Sequence, residues 1–431
     1  MTGRSMSARN VYRQIRSAVG RSRSALRRAG SLAWGETEAP PVGCERFGLE
    51  ERHVFFGYYD LSPVDRSNDR ILALSAPLLN RSPSLSDVAE IGYFQRSKGG
   101  AFQKLAETTA WCWQQGCRLQ WYPRAENGQN NLIIFNSADR DGFCSYVFDI
   151  ANGRTLKRLP EPIYEVAPDG AFALTLDFVR LGLHRPGYGY AAAKNAIVDE
   201  AVPAGQFIKR IDLSTGKVTP LVALSDIARL DPDISMAGAV HYFNHLSIAP
   251  DGQRYIFYHF WHGSSGRRSR VFLAGIGSDF LTKLDLGTSV SHYAWIDAHR
   301  IIVFCRPPES PQGYWILDLA TGSRERIDDT LMLEDGHPSI LSGGGVLTDT
   351  YPDSAGRQKV VLHGRGGGGQ VIGSFYNPMR FRGEVRCDLH PRISPDENYA
   401  LVDSARDGAR AIYMFPIEAK LEGEEYIRHV S

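Results

Sequence analysis

Residues 237–263 carry four of the chain's twelve histidines: His241, His245, His259 and His262. Imidazole is the side chain that titrates nearest neutrality, so such a cluster suits proton transfer or metal binding. A second group lies at 176–190, LDFVRLGLHRPGYGY, where Arg180, His184, Arg185, Tyr188 and Tyr190 sit among glycines. An arginine there can pair with a carboxylate, and a tyrosine can pass a proton. A third group is spread over the later chain. His292, His337 and the C-x-x-H of Cys387 and His390 make a thiolate and three imidazoles, a four-coordinate zinc set of the Cys-His₃ type. Tyr58 and Tyr59 follow Gly57 and are either acid–base groups or core aromatics.

These side chains need elements to hold them. HYFNHLSIA and YIFYHFWH read as two strands joined by a turn at Pro250-Asp251-Gly252. Strict alternation then puts His241, Phe243 and His245 on one face of the first strand, and His259 and Trp261 on one face of the second. The turn recurs as SPVD (62–65), APDG (167–170) and SPDE (394–397), and a D-x-x-x-G turn recurs at 149–153, 212–216 and 318–322. Short strands repeating without helical periodicity predict an all-β, seven-bladed propeller over residues 47–431, six or eight blades being the neighbouring counts. Residues 82–108 and 223–230 are expected to be helical insertions on the rim.

Composition limits the alternatives. The chain is 43% hydrophobic and 23% charged, which describes a folded globular protein. Residues 1–30 hold eight arginines and no acid while the net charge is +1, so the remainder is acidic and no nucleic-acid partner is expected. Residues 8–30 suit a basic amphipathic helix against an anionic membrane, an organelle transit peptide, or a disordered extension. With residues 31–46 as linker they form an N-terminal region, 1–46. No apolar run spans a bilayer, and no secretory h-region follows the arginines. A cytoplasmic bacterial enzyme, peripheral to the membrane if the helix forms, is the expectation. The six cysteines lack framework spacing, and no nucleophile elbow, P-loop or dinucleotide fingerprint is present.

GYYD (57–60), RPGYGY (185–190), NHLSIAPDG (244–252), DGHPS (335–339), TDTYPD (348–353) and RCDLHPR (386–392) together resemble the propeller polysaccharide lyases. The likeness is to ulvan lyases and, more distantly, oligogalacturonate lyases. It implies β-elimination on uronate-containing oligosaccharides or polysaccharides. Carried onto matching positions, it makes His245 and His259 the catalytic histidines, with His262 an open alternative. It makes Tyr188 the acid or base and Arg185 or Arg180 the neutraliser of the uronate carboxylate. Tyr58, Tyr59, Tyr190 and His184 are assigned to substrate binding. The metal set is His292, His337, Cys387 and His390, holding structural zinc, with manganese or calcium as alternatives. The competing reading is a non-catalytic glycan-binding or scaffold propeller in surface-polysaccharide biosynthesis.

Overall fold

A computed structural model describes residues 39–123, 131–192, 200–264, 266–287, 289–364 and 366–417. The basic stretch 8–30 lies outside the described residues. Among these residues, 28 strands form seven antiparallel sheets of four, so the protein is a seven-bladed β-propeller. Blades one to six occupy residues 52–108, 120–159, 165–223, 240–283, 293–326 and 339–376. Blade seven takes three strands from 392–416 and its outermost from Glu45–Phe47, which pairs with Ala411–Pro416 through Glu45↔Met414 and Phe47↔Ile412. The two ends of the propeller thus close one sheet, and no helix of the described residues is long and apolar enough to cross a membrane.

The second strands of the blades are apolar on both faces. Arg70–Pro77, RILALSAP, is buried along nearly its whole length, because each blade packs against a neighbour on both faces and so needs apolar side chains on both. The recurrent turns fall at strand ends as read. Gly170 N donates to Ala167 O and Gly252 N to Ala249 O, each at 2.8 Å. The D-x-x-x-G turns close likewise, Gly216 N to Asp212 O at 2.7 Å and Gly322 N to Asp318 O at 2.8 Å. The 223–230 expectation holds as a short helix at Leu224–Arg229. The 82–108 expectation does not. Ala89–Gln95 and Phe102–Thr108 are the outer strands of blade one, joined through left-handed Gly99 and Gly100. A helix would have had to carry both glycines in its interior.

Blades seven and one are locked by a buried polar knot. The Asp403 carboxylate accepts from the backbone of Phe56 and Gly57 and from Arg392 Nη2 at 3.0 Å. Arg410 donates to the carbonyls of Trp113, Val385 and Arg386. The Arg392 charge is thus met by a buried carboxylate and that of Arg410 by carbonyl dipoles.

The first strand of each blade lines the axis; all are two to four residues long except Val240–Ile248 of blade four, which has nine. At one end of the axial tunnel lies Glu165, first residue of Glu165–Val166. Burial, then the nearby charge of Asp60, pushes its carboxyl up to about 8. An unfolded glutamate releases its proton near pH 4.3 (about the peptide value), so the folded state binds the extra proton between the two values. Stability therefore falls as pH rises across that window and levels off above about 8. Glu165→Gln should flatten the decline; thermal melts of both proteins from mildly acidic to mildly alkaline pH measure it.

Candidate active site at one mouth of the tunnel

The site side chains leave the first strands just before, or at a break in, their regular pairing. His292 precedes Tyr293–Trp295, His337 precedes Ser339–Ile340, and His390 precedes Arg392–Ile393. Three of the positions have left-handed backbone: Arg118 (φ 52°), His245 (φ 51°) and His390 (φ 47°). Such a residue is uncommon outside glycine and turns its side chain out of the two-residue alternation. In Val240–Ile248 the register with Arg254–Gly263 shifts between Asn244 and Ser247.

That break decides which histidines meet. His245 does not share a face with His241. Its ring stacks on Tyr58 at 5.5 Å and lies 5.2 Å from Tyr258 and 5.8 Å from Tyr188. His259, paired with it on sequence grounds, is elsewhere: its Nε2 lies 2.8 Å from His241 Nδ1 and its Nδ1 accepts from Arg270 at 3.1 Å. His262 is exposed at the strand end. Neither His259 nor His262 is brought to His245.

Tyr58 is the centre of the cluster. Its ring centroid is 4.9 Å from His390, 6.1 Å from His337, 6.4 Å from His292 and 6.1 Å from Tyr188. Its buried hydroxyl has no hydrogen-bond partner among the described residues. Tyr59 is a different case. Its hydroxyl donates to Tyr293 O at 2.8 Å, which ties it into the scaffold.

The loop after blade three's second strand supplies the cations. Asp177 caps the helix Phe178–His184 (α1) by accepting from the Val179 and Arg180 nitrogens, both at 2.9 Å. Past α1 the chain folds back so tightly that a Cβ at Gly189 would collide with Gly182 N and Phe178 O. This fold sorts the sequence candidates. Arg180 is spent on the carbonyls of His241, Glu200 and Ala201, so it is a strut and not the neutraliser. Tyr190 stacks on Phe178 at 4.5 Å and accepts from Asn136 Nδ2 at 2.7 Å, also away from the cluster. His184 stacks on Tyr242 at 5.9 Å. Arg185 and Tyr188 remain. The Arg185 guanidinium lies 4.0 Å from the Tyr188 ring centroid, and its buried Nε has no hydrogen-bond partner among the described residues.

Arg386, not singled out from sequence, donates from Nη2 to the Tyr188 hydroxyl at 2.6 Å and from Nε to Asp388 at 2.6 Å. Burial alone would raise the Tyr188 phenol, but the charges of Arg386 and Arg185 outweigh it and hold the phenol below its usual value. Tyr58 goes the other way, raised by burial and by Tyr188. Burial, then Arg185, drives His245 well below the ordinary imidazole value, so its ring is neutral at pH 7.

The histidines around Tyr58 have the build of metal ligands. His337 and His390 each use Nδ1 structurally, His337 on Asp349 at 2.9 Å and His390 on Gly57 O at 2.8 Å. Among the described residues their buried Nε2 atoms have no partners. A ring fixed through one nitrogen with the other left bare is how proteins orient a histidine toward a cation. Ligand atoms of His337, Asp388 and His390 lie within 4.8 Å of one another. His292 sits beside them, its ring 4.1 Å from His337 and its Nδ1 3.1 Å from Asp335. Burial, then repulsion from His337, lowers His292, and burial lowers His390 further; Asp349 raises His337 against its burial.

Cys387 is not part of the group. Its thiol contacts Asp403 O at 3.7 Å and packs with Phe381 and Ala405, and burial pushes it up to about 12. The left-handed backbone at His390 (φ 47°) turns its ring to Tyr58, in reach of Asp388, while the Cys387 thiol stays in its own apolar cluster. The expected thiolate is replaced by a carboxylate. The sequence signal for it was a repeated D-x-H, Asp335-Gly-His337 and Asp388-Leu-His390.

No protein-family model matches the chain, and no curated protein matches it by sequence. Its fold is similar to that of oligogalacturonate lyase from Vibrio parahaemolyticus, at 12% identity and a TM-score of 0.61 over 89% of this chain and 96% of that one. An oligogalacturonate lyase in complex with manganese gives 13% identity and a TM-score of 0.61 over 88% and 95%. A Mycobacterium tuberculosis puromycin-hydrolyzing peptidase gives 12% identity and 0.51 over 89% of this chain and 56% of that chain.

Proposed function

We propose that the histidine-lined mouth is a lyase centre that cleaves uronate-containing oligosaccharides or polysaccharides by β-elimination. The observation that carries the reading is the Tyr188 phenol, held by Arg386 at 2.6 Å and stationed 5.8 Å from a neutral, buried His245. A base and an acid whose environments push their titrations in useful directions are what proton abstraction next to a carboxylate needs. Arg185, with its free Nε, pairs with the substrate carboxylate and makes the C5 proton acidic. His245 takes that proton as the C4–C5 double bond forms. The C4–O4 bond breaks, and Tyr188 gives its proton to O4. Tyr58, its ring at the centre of the cluster, orients the sugar ring. The fold likeness to an oligogalacturonate lyase supports the substrate class.

His337, Asp388 and His390, with His292 beside them, would hold a divalent cation. When bound, it supplies positive charge to the same carboxylate. Imidazoles and one carboxylate suit manganese or zinc better than calcium, which takes oxygen donors. The fold neighbour in complex with manganese favours that ion.

The test is incubation of the full chain, with manganese and without, on a panel of uronate glycans. An ultraviolet rise from unsaturated uronate ends is expected with at least one of them; binding without any such rise would instead favour a glycan-binding propeller. A narrower expectation concerns Asp349. Asp349→Asn should weaken manganese affinity by about 10–100-fold, the usual cost of losing such a partner, since it holds His337 through Nδ1. Calorimetric titration with manganese reads this directly.

A further inference from the structure

The short first strands that carry the histidines continue past them to a second opening. His292 gives way to Trp295, His337 to Ile340, and His390 to Ile393, and beyond His245 the chain reaches Ser247. Around these later residues lies a cavity of about 290 Å³, lined by Tyr59, Asp60, Glu165, Tyr293, Trp295 and Arg392 among others. Tyr59 is common to both ends: it lines the cavity, and its ring lies 5.3 Å from His337.

We infer that this cavity, at the mouth opposite the histidines, is a binding site for a neutral sugar ring. Arg392 is the first reason. Its side chain is 1% exposed. Nε and Nη2 are used on Tyr58 O, Gly57 O and Asp403, while Nη1 is buried with no partner among the described residues, and Arg392 is one of the residues that line the cavity. A buried donor left unmade is costly, and a ligand hydroxyl would satisfy it. Charge balance is the second. Asp60 is clamped by Arg118 through two bonds of 3.0 and 2.9 Å, and Arg392 is met by Asp403. Glu165, pushed up to about 8 by burial and Asp60, carries a proton at neutral pH and can donate it in a hydrogen bond. No surplus charge is left to select an ion. Shape is the third. Trp295 Nε1 donates to Ser247 Oγ at 3.1 Å, which fixes the indole plane, and Tyr59 and Tyr293 add two further ring walls. A flat aromatic surface beside fixed donors and acceptors matches a ring that is apolar on its faces and polar at its rim. The cavity is near the lower end of small-molecule sites, about 300–1,000 Å³, the scale of a single ring.

This site stands independently of the chemistry at the other mouth, and the experiment keeps the two apart. Glucose, galactose, mannose and, as the charged comparison, glucuronate are titrated into the full chain by saturation-transfer NMR and calorimetry, in the wild type and in His245→Ala. Saturable binding of one neutral sugar, one per chain, is expected in both proteins. Trp295→Ala should weaken it about tenfold, or ~1.4 kcal/mol, and Ser62→Phe, which fills the cavity, should abolish it, with melting temperatures verifying that both variants fold. The inference is overturned by no saturable binding by any neutral sugar, by binding untouched by both cavity variants, or by a preference for glucuronate. Binding lost in His245→Ala but kept in the cavity variants belongs to the histidine mouth and equally overturns it.

Discussion

Replacing His245 with asparagine or alanine should lower turnover on any uronate glycan the protein cleaves by about 10²–10⁴-fold, the range for a positioned general base. Both replacements are needed. His245 has left-handed backbone, φ 51°, which asparagine tolerates better than alanine, so the asparagine variant separates loss of the imidazole from strain. The backbone there is also pinned from outside, since Tyr293 donates to His245 O at 3.0 Å. The melting temperature of His245→Asn should therefore stay near that of the wild type. The pH profile adds a second reading. Burial and Arg185 depress the imidazole, so the basic form persists as pH falls, and the acid limb should lie below the ordinary histidine range. A variant that keeps turnover within tenfold would remove His245 from the chemistry.

The same residue shows what the sequence made legible. Recurrent P-D-G and D-x-x-x-G turns between short β-branched stretches were enough for a propeller, because turn chemistry is local. The expected count of seven, with six or eight as its neighbours, is met by the seven four-stranded sheets. The pairing of His245 with His259 was not legible, because period-two alternation assumes an unbroken ladder and the register shifts between Asn244 and Ser247. Once His245 turns to the axis, His259 is left on the other face with His241 and Arg270. Cys387 failed for a related reason: His390 too has left-handed backbone, φ 47°, so the C-x-x-H spacing does not bring the two side chains together, and the thiol packs in a small apolar cluster with Phe381 and Ala405. Arg180 and Arg185 looked equivalent as letters. What separates them is tertiary, since three carbonyls from elsewhere in the chain claim Arg180. Arg386 was missed because its partner Tyr188 is 198 residues away.

That long-range pair makes Tyr188→Phe the most discriminating substitution. Phenylalanine keeps the ring under Arg185 and beside Tyr58 and His245, so packing is conserved and only the hydroxyl goes. Arg386 loses one acceptor but retains Asp388 at 2.6 Å, which limits the structural cost. Turnover should fall by about 10²–10⁴-fold with little change in KM, because the lost proton matters only as O4 departs. The sign of the pH effect follows from the phenol's direction. Arg386 and Arg185 hold it below its usual value, so the proton it must donate is lost as pH rises through that lowered point, giving the wild type an alkaline limb. With no phenol the residual activity of Tyr188→Phe should lack that limb. If instead the alkaline limb survives while turnover drops, the titrating group is another residue, and Tyr58, raised by burial beside Tyr188, becomes the acid to test.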